Sequence, residues 1–166
     1  MVKHFIDIED FNLKDLRKIL NYAKKIKKNP KNYNNTLSSR TLGMLFEKQS
    51  TRTKISFYVG MKKMGGNVIE LNRDSMGYGK RESKSDIIKI LSNYIDCLVI
   101  RNHDHSEITE LKNLNYLPII NGLSNYSHPC QILSDIFTIE EKLGSINKIK
   151  ICWLGDINNV LISVIQ

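Results

Sequence analysis

Four short apolar runs, separated by stretches with helical spacing, constrain this chain more than any other feature. Thr41-Leu42-Gly43-Met44-Leu45-Phe46, Val68-Ile69-Glu70-Leu71, Cys97-Leu98-Val99-Ile100 and Leu117-Pro118-Ile119-Ile120 each have the length of a buried strand. The residues between them carry apolar side chains at three- and four-residue intervals. Apolar strands alternating with helices build a parallel sheet covered on both faces. The expectation is an α/β fold, a three-layer domain with a four-stranded parallel sheet flanked by helices. Pro118 places the fourth strand at an edge, because proline cannot donate to a ladder on both sides.

The helical stretches have legible ends. Asn12 caps a helix with Leu13, Leu16, Leu20, Ala23 and Ile26 on one face and Asp15 in its first turn, and it ends before Pro30. The polar stretch 32–40 reads as a loop. A helix from about Thr51 to Met64 is expected to bury Ile55 and Val59 and to stop at Gly65-Gly66, where a left-handed cap is easy. The segment from Asn72 to Ser85 is polar, contains glycine and is long for a connection in such a domain, so it reads as a functional or mobile loop. Ser85-Asp86 reads as the cap of a helix carrying Ile87, Ile90, Leu91, Tyr94 and Ile95. Further helices are expected from about Ser106 to Leu114 and from His128 to Leu143, the latter with Ile132, Leu133, Ile136 and Phe137 inward, followed by a strand from Ile149 to Leu154.

In open parallel sheets the ligand crevice lies at the carboxyl ends of the strands. Three groups of polar residues belong to that edge: Ser50-Thr51-Arg52-Thr53 after the first strand, Arg101 ending the third, and His128-Pro129-Cys130-Gln131 after the fourth. A helix start offers unpaired N–H groups and a partial positive charge, while serine and threonine hydroxyls and a guanidinium fork add donors suited to phosphate. Each residue also has a plainer reading. Ser-Thr-Arg-Thr fits an ordinary helix cap with a solvated arginine, Arg101 a charge emerging from a buried strand, and His128 a first-turn residue satisfied by backbone. As a set they match a small phosphorylated amide or acyl compound: guanidiniums and hydroxyls for the phosphate, an imidazole and an amide for a neutral carbonyl or amine.

Composition narrows the alternatives. At 166 residues the chain can bury a core without staples, and it contains no apolar run that spans a bilayer and no signal-peptide start, so the expectation is a soluble cytoplasmic protein without membrane partners. Cys97, Cys130 and Cys152 are odd in number and lack metal-ligand spacing, which predicts small buried thiols, no disulfide framework and no metal site. The net charge of +8 is mostly lysine, thickest at Lys24-Lys25-Ile26-Lys27-Lys28 and Lys31. That cluster reads as a solvated helix end, and the absence of interleaved aromatics or a recognisable module argues against nucleic acid.

The motifs as they stand resemble the carbamoyltransferases. Phe46-Glu47-Lys48-Gln49-Ser50-Thr51-Arg52-Thr53, Val99-Ile100-Arg101, Asn121-Gly122-Leu123, His128-Pro129-Cys130-Gln131 with Asp135, and Gly155-Asp156-Ile157-Asn158-Asn159-Val160 follow the family's order through nearly the whole chain. Phe-Glu-Lys and Gly-Asp-Xaa-Asn-Asn resemble the ornithine branch rather than the aspartate branch. The resemblance implies that Ser50, Thr51, Arg52, Thr53 and Arg101 hold the phosphate of carbamoyl phosphate. It also implies that Arg101, His128 and Gln131 attend the carbamoyl group beside Pro129 and Cys130, and that Asn159 contacts L-ornithine. The implied reaction is attack of the neutral δ-amine on the carbamoyl carbon to give L-citrulline and phosphate, without metal or organic cofactor, in a homotrimer. Gln49 stands where the family usually has proline, Gly77 where it has a Gln or His reaching a neighbouring subunit, and Ile162 where it often has His.

Domain organisation follows from the same resemblance. Residues 1–144 read as the carbamoyl-phosphate-binding domain, with helix 128–143 as the connection, and residues 145–166 as the start of an incomplete ornithine-binding domain. The family's other ornithine ligands have no counterpart in these residues, so the 166-residue chain is expected to be inactive alone. The last strand and helix, short of partners, are expected to be mobile or sticky. Alternatives of other classes are a non-catalytic anion-binding or assembly module from a split or interrupted gene, and a carbamoyltransferase for another amine or amino acid.

Overall fold

The expected apolar runs pair side by side. The computed structural model describes residues 2–47, 49–79 and 81–166; Lys48 of the first motif and Lys80 of the 72–85 segment lie outside the described residues. Strands β1 (Thr41–Phe46), β2 (Asn67–Leu71), β3 (Cys97–Arg101) and β4 (Ile119–Leu123) form one all-parallel sheet in the order β2-β1-β3-β4. Helices α1 (Leu13–Lys28), α2 (Arg52–Lys63), α3 (Arg73–Met76), α4 (Lys84–Leu91), α5 (His105–Leu114), α6 (Pro129–Leu143) and α7 (Asn159–Ile165) complete the chain.

Strand periodicity sends successive side chains to opposite layers. Leu45, Leu98, Ile100 and Ile119 face one side, where Ile87 and Ile88 of α4 and Ile108 and Leu111 of α5 close over them. Leu42, Met44, Val99 and Ile120 face the other side, with Phe57 and Met61 of α2. Helices α1 and α6 pack through Leu20, Ile132 and Leu133 as a further cluster beside that second face. Both faces are covered, and the fold is the three-layer α/β arrangement. β4 is indeed an edge, although Phe5 makes one parallel bridge along it, donating to the Ile119 carbonyl and accepting from the Asn121 N–H, both at 2.8 Å.

Several local expectations are corrected. Ile55 and Val59 are exposed, and Phe57 and Met61 face the sheet instead. Helix α2 carries two four-spaced apolar stripes about half a turn apart, and the bulkier one packs inward. Ser83, not Ser85-Asp86, caps α4, its Oγ accepting from the Asp86 N–H at 3.1 Å. Ile90 and Tyr94 of the expected stripe are exposed, and Ile88 is buried in their place. The 72–85 segment is partly structured by α3 and a Tyr78–Glu82 bridge, with Tyr78 buried.

No strand forms over 149–154, where Ile151, Trp153 and Leu154 are exposed. A strand exists only through a neighbour, and no described segment pairs with this one. By contrast, α7 is not short of partners: Val160 packs on the α1–α6 cluster and Ser163 is buried. Cys152 lies in the exposed stretch and Cys97 and Cys130 are half-buried, so the expectation of three buried thiols is not met. Burial pushes the Cys97 thiol up to about 11 and the Cys130 thiol up to about 12, which favours the protonated form of each.

Two glycines of one connection test the backbone argument. Gly65 has φ +82°, and a Cβ there would lie 2.6 Å from the Asn34 carbonyl oxygen, whereas a Cβ on Gly60 in α2 meets nothing within 4 Å. Gly65→Ala is expected to cost about 1–3 kcal/mol through the left-handed backbone and the clash. Gly60→Ala is expected to stabilise by roughly 0.5–1 kcal/mol through helix propensity. Urea unfolding midpoints should therefore move in opposite directions.

Candidate functional site

Parallel pairing of β1 with β3 sets Phe46 beside Arg101, so the segment leaving β1 and the side chain ending β3 emerge together. The Glu47 N–H extends this pairing to the Arg101 carbonyl at 3.0 Å. Between β3 and β4 the register shifts at Ile100/Arg101, so Arg101 lies opposite Leu123. Such an irregularity re-aims a side chain at the end of a ladder. Leu123, at φ 155°, is held by its N–H to Asn121 Oδ1 at 3.0 Å. Asn121 is fully buried, and its Nδ2 donates to the Ile6 and Ser127 carbonyls. The Asn121-Gly122-Leu123 motif is thus a clamp on the loop leading to His128.

Thr51 occupies the position before α2 but makes no capping bond with its side chain. The ordinary-cap reading of Ser-Thr-Arg-Thr therefore fails, and the hydroxyls of Ser50 and Thr51 have no partner among the described residues. Arg52 forms no ion pair among those residues either. The Arg101 Nη1 donates to Thr53 Oγ1 at 3.3 Å, and among the described residues its buried Nε has no partner and no carboxylate pairs with it. Burial accordingly lowers its pKa. Unpaired guanidinium charge beside a helix N-terminus favours an anion there.

His128 sits at the start of α6, with Pro129 at the first helical position, where a missing N–H and fixed φ suit the helix. The His128 backbone N–H donates to Ser163 Oγ at 2.9 Å, but the ring is not satisfied by backbone: Nδ1 is buried without a partner. Burial, with the Arg101 charge adding to it and Asp135 opposing, lowers its pKa to about 4. The imidazole is neutral at ordinary pH. Gln131 Nε2 donates to Asp135 Oδ1 at 2.8 Å, and Cys130 Sγ to the Asn121 carbonyl at 3.6 Å.

These residues meet around a pocket of about 610 Å3. Ser50, Thr51, Arg52 and Thr53 line one side, Arg101, His128 and Gln131 the other, with Gln49 and Leu123 completing the wall. A recess of about 360 Å3 continues between α2 and α6, adding Cys130 and Ser134. An apolar cavity of about 490 Å3 lies at the opposite ends of the strands, where its charged residues Arg40 and Asp96 pair with each other. The chemistry therefore belongs to the carboxyl edge. Asn159 is not in the pocket wall; its Nδ2 donates to the Ser124 carbonyl at 2.6 Å.

Two polar networks beside the site escape sequence reasoning. Glu47 pairs with Arg73 at 2.7 Å, Arg73 also pairs with Glu107, and Glu107 accepts from Asn102 Nδ2 at 2.6 Å. Burial holds the Glu47 carboxyl above its ordinary value. The second network joins Asp7, His105 and Ser124. Neither leaves a periodicity signal, since their members come from different elements. Among the described residues no group of three or more His, Cys, Asp or Glu could hold a metal, and no helix is long and apolar enough to cross a membrane.

Comparison with known proteins gives a consistent result. The family model described as the carbamoyl-phosphate-binding domain of aspartate/ornithine carbamoyltransferases matches residues 3–141. Ornithine carbamoyltransferase from Methanospirillum hungatei is 42% identical over 167 residues, covering 99% of this chain and 55% of that protein. The solved structure of ornithine carbamoyltransferase from Pyrococcus furiosus superposes with a TM-score of 0.92 at 37% identity, covering 98% of this chain and 52% of that one. Aspartate transcarbamoylase from Trypanosoma cruzi, solved with carbamoyl phosphate and aspartate, gives 0.87 at 30% identity, with 98% and 56% covered. The chain spans about half the length of the curated relatives it matches.

The neutral His128 makes stability depend on pH. Its ring titrates near 6.5 when unfolded and near 4 here, so the unfolded chain takes up a proton that the folded chain refuses. The contribution is fully present above pH 6.5 and is lost as pH falls toward 4. Between pH 7.5 and 4.5 the wild type should lose about 2–3 kcal/mol more unfolding free energy than His128→Gln. Equal losses in urea titrations would show that the ring is not held neutral.

Proposed function

The chain belongs to the aspartate/ornithine carbamoyltransferase family, and from that premise we propose that it binds carbamoyl phosphate in the pocket between α2 and α6. In this reading it is the carbamoyl-phosphate-binding half of an enzyme that carbamoylates the δ-amine of L-ornithine, in arginine metabolism of the cytoplasm. The observation that carries the reading is the half-buried Arg101, without counter-charge and within reach of Thr53, at the uncapped start of α2. An acceptor of ornithine rather than aspartate is favoured by the ornithine relatives at 41–42% identity.

The phosphate sits against Ser50, Thr51, Arg52 and Thr53, where backbone N–H groups, hydroxyls and the Arg52 fork converge, with Arg101 bridging to the carbamoyl oxygen. The ornithine amine attacks the carbamoyl carbon, a C–N bond forms, and the carbonyl oxygen gains negative charge. Arg101 and His128 stabilise that oxygen as donors, an oxyanion-hole arrangement that needs no proton transfer to the oxygen. A ring with pKa about 4 suits this role, because it donates a hydrogen bond without placing a second positive charge against Arg101. Gln131 meets the carbamoyl amine. Collapse breaks the bond from carbon to the phosphate oxygen, phosphate leaves with the electron pair, and the amine proton passes to phosphate or solvent.

Binding and turnover make separate demands. Calorimetry with carbamoyl phosphate should show Arg52→Ala weakened by about 2 kcal/mol, the worth of a charge-assisted bidentate contact. Unchanged affinity would remove the phosphate assignment. The purified 166 residues should make no citrulline at a useful rate, because positioning the amine is worth up to roughly 7–11 kcal/mol, and Asn159, the residue assigned to the amine, lies outside the pocket wall with its Nδ2 on the Ser124 carbonyl. Mixing with the separately expressed second domain of a complete relative should restore turnover. Robust turnover by the 166 residues alone would contradict the division of labour.

A further inference from the structure

The turn from Ser124 to Ser127, which delivers the chain to His128, is held by three side chains that line no part of the pocket wall. His105, the first residue of α5, places Nε2 3.3 Å from Asp7 Oδ2 and Nδ1 2.8 Å from Ser124 Oγ. A carboxylate only accepts, so in the neutral ring Nε2 carries the proton and Nδ1 accepts from the Ser124 hydroxyl at 2.8 Å, the Ser127 carbonyl at 3.3 Å being the competing acceptor for that one proton. Ser124 Oγ in turn accepts from the Ser127 N–H at 3.0 Å. The backbone is stitched to the same place: the His105 N–H donates to Asn125 Oδ1 at 3.2 Å, and the Asn125 N–H to the His103 carbonyl at 2.8 Å. One step further, Ser127 Oγ meets Ser163 Oγ at 3.1 Å, and that same Ser163 oxygen receives the His128 N–H.

The order Asp-His-Ser is that of a hydrolytic triad, but Ser124 is 0% exposed and no substrate can reach its oxygen. The chain of bonds orients the turn instead. Asp7 is suited to this, because burial raises its carboxyl while His105 and Ser127 bring it below the ordinary range and keep it an acceptor. A ring bonded at both nitrogens and set against Tyr126, with centroids 5.0 Å apart, has one orientation open to it.

We propose that His105 is a positioning residue for carbamoyl recognition: it fixes Ser124 and the 124–127 turn, and through them the imidazole of His128. The inference rests on His128 facing the carbamoyl group. The phosphate half of the ligand depends on α2 and Arg101, which His105 does not touch, so the two halves respond differently to its loss.

The test compares inorganic phosphate with carbamoyl phosphate by calorimetry on the 166-residue chain. Wild type should prefer carbamoyl phosphate. His105→Phe should lose about tenfold of that preference while phosphate affinity stays within about twofold, as expected for loss of oriented hydrogen bonds. His105→Asn, which keeps an acceptor near the Nδ1 position, should retain most of the preference. Full preference in His105→Phe, or a parallel loss for both ligands, overturns the relay. A wild type that binds phosphate but does not distinguish the two ligands removes His128 from the carbamoyl site, and one that binds neither removes the pocket assignment itself; both outcomes overturn the relay with them. Should His105→Phe fail to fold, nitrogen-15 spectra of the wild-type histidines at pH 8 decide the point: protonated Nε2 and bare Nδ1 on His105 are expected, and the opposite tautomer overturns the proposal.

Discussion

The half-buried guanidinium of Arg101, left without a carboxylate, is the constraint on which the rest of the structure turns. An unpaired charge partly out of water costs free energy, and a fold keeps one only where its surroundings hold it in place. Here β1 and β4 flank β3, the register shift at Ile100/Arg101 aims the side chain, and Thr53 accepts its one hydrogen bond among the described residues. The neighbouring charges are handled otherwise. Arg73 is matched by Glu47 and Glu107, Lys84 by Glu107 and Glu110, and Lys24 and Lys27 of the lysine-rich helix end by Glu140 and Glu141 on α6. The formal charge of +8 is therefore a poor guide to function. Exposed pairs of that kind contribute little each, and the meaningful positive charge is that of Arg52 and Arg101 at the carboxyl edge.

The same charge explains His128. Burial disfavours the imidazolium, and Arg101 disfavours it further, so one residue that attracts an anion also keeps its neighbour neutral. In the proposed function, a neutral donor beside a fixed cation would divide the work between the two ends of a carbamoyl phosphate: charge for the phosphate, oriented hydrogen bonds for the developing carbonyl oxygen. The buried, clamped loop from Asn121 to Ser127 is what makes orientation possible, because hydrogen bonds gain catalytic worth only when they are already in place.

How much of this was legible in the sequence depends on how local each cause is. Strand cores such as Leu98-Val99-Ile100 and the position of the α2 start follow from short-range pattern, and the carboxyl-edge rule then brings Ser50 to Thr53, Arg101 and His128 together; that the α2 start lacks a side-chain cap is visible only in the structure. The inward face of α2 was misread because Ile55 and Val59 form a stripe as regular as Phe57 and Met61, and only the sheet decides between them. The run from Ile149 to Leu154 has the composition of a strand, but strand formation is a property of a pair. Arg73 and His105 were invisible for a related reason: each acts through residues from three elements, and no spacing rule joins Glu47 to Glu107 or Asp7 to Ser124.

The end of the chain carries a last step of the argument. Every residue assigned to the ligand falls between Gln49 and Gln131, inside the stretch that matches the family's carbamoyl-phosphate-binding domain. Yet α7 reaches back across that boundary. Asn159 holds the Ser124 carbonyl, and Ser163 is shared between the Ser127 hydroxyl and the His128 N–H. Residues that the motif alone would reserve for the second substrate are thus engaged with the loop that presents His128. A movement of α7 would be felt first at that loop, and so at the His128 side of the pocket rather than at the side lined by Ser50 to Thr53. In the proposed function, such a contact would let the segment nearest the acceptor also position the group that polarises the donor, and so couple the two substrates.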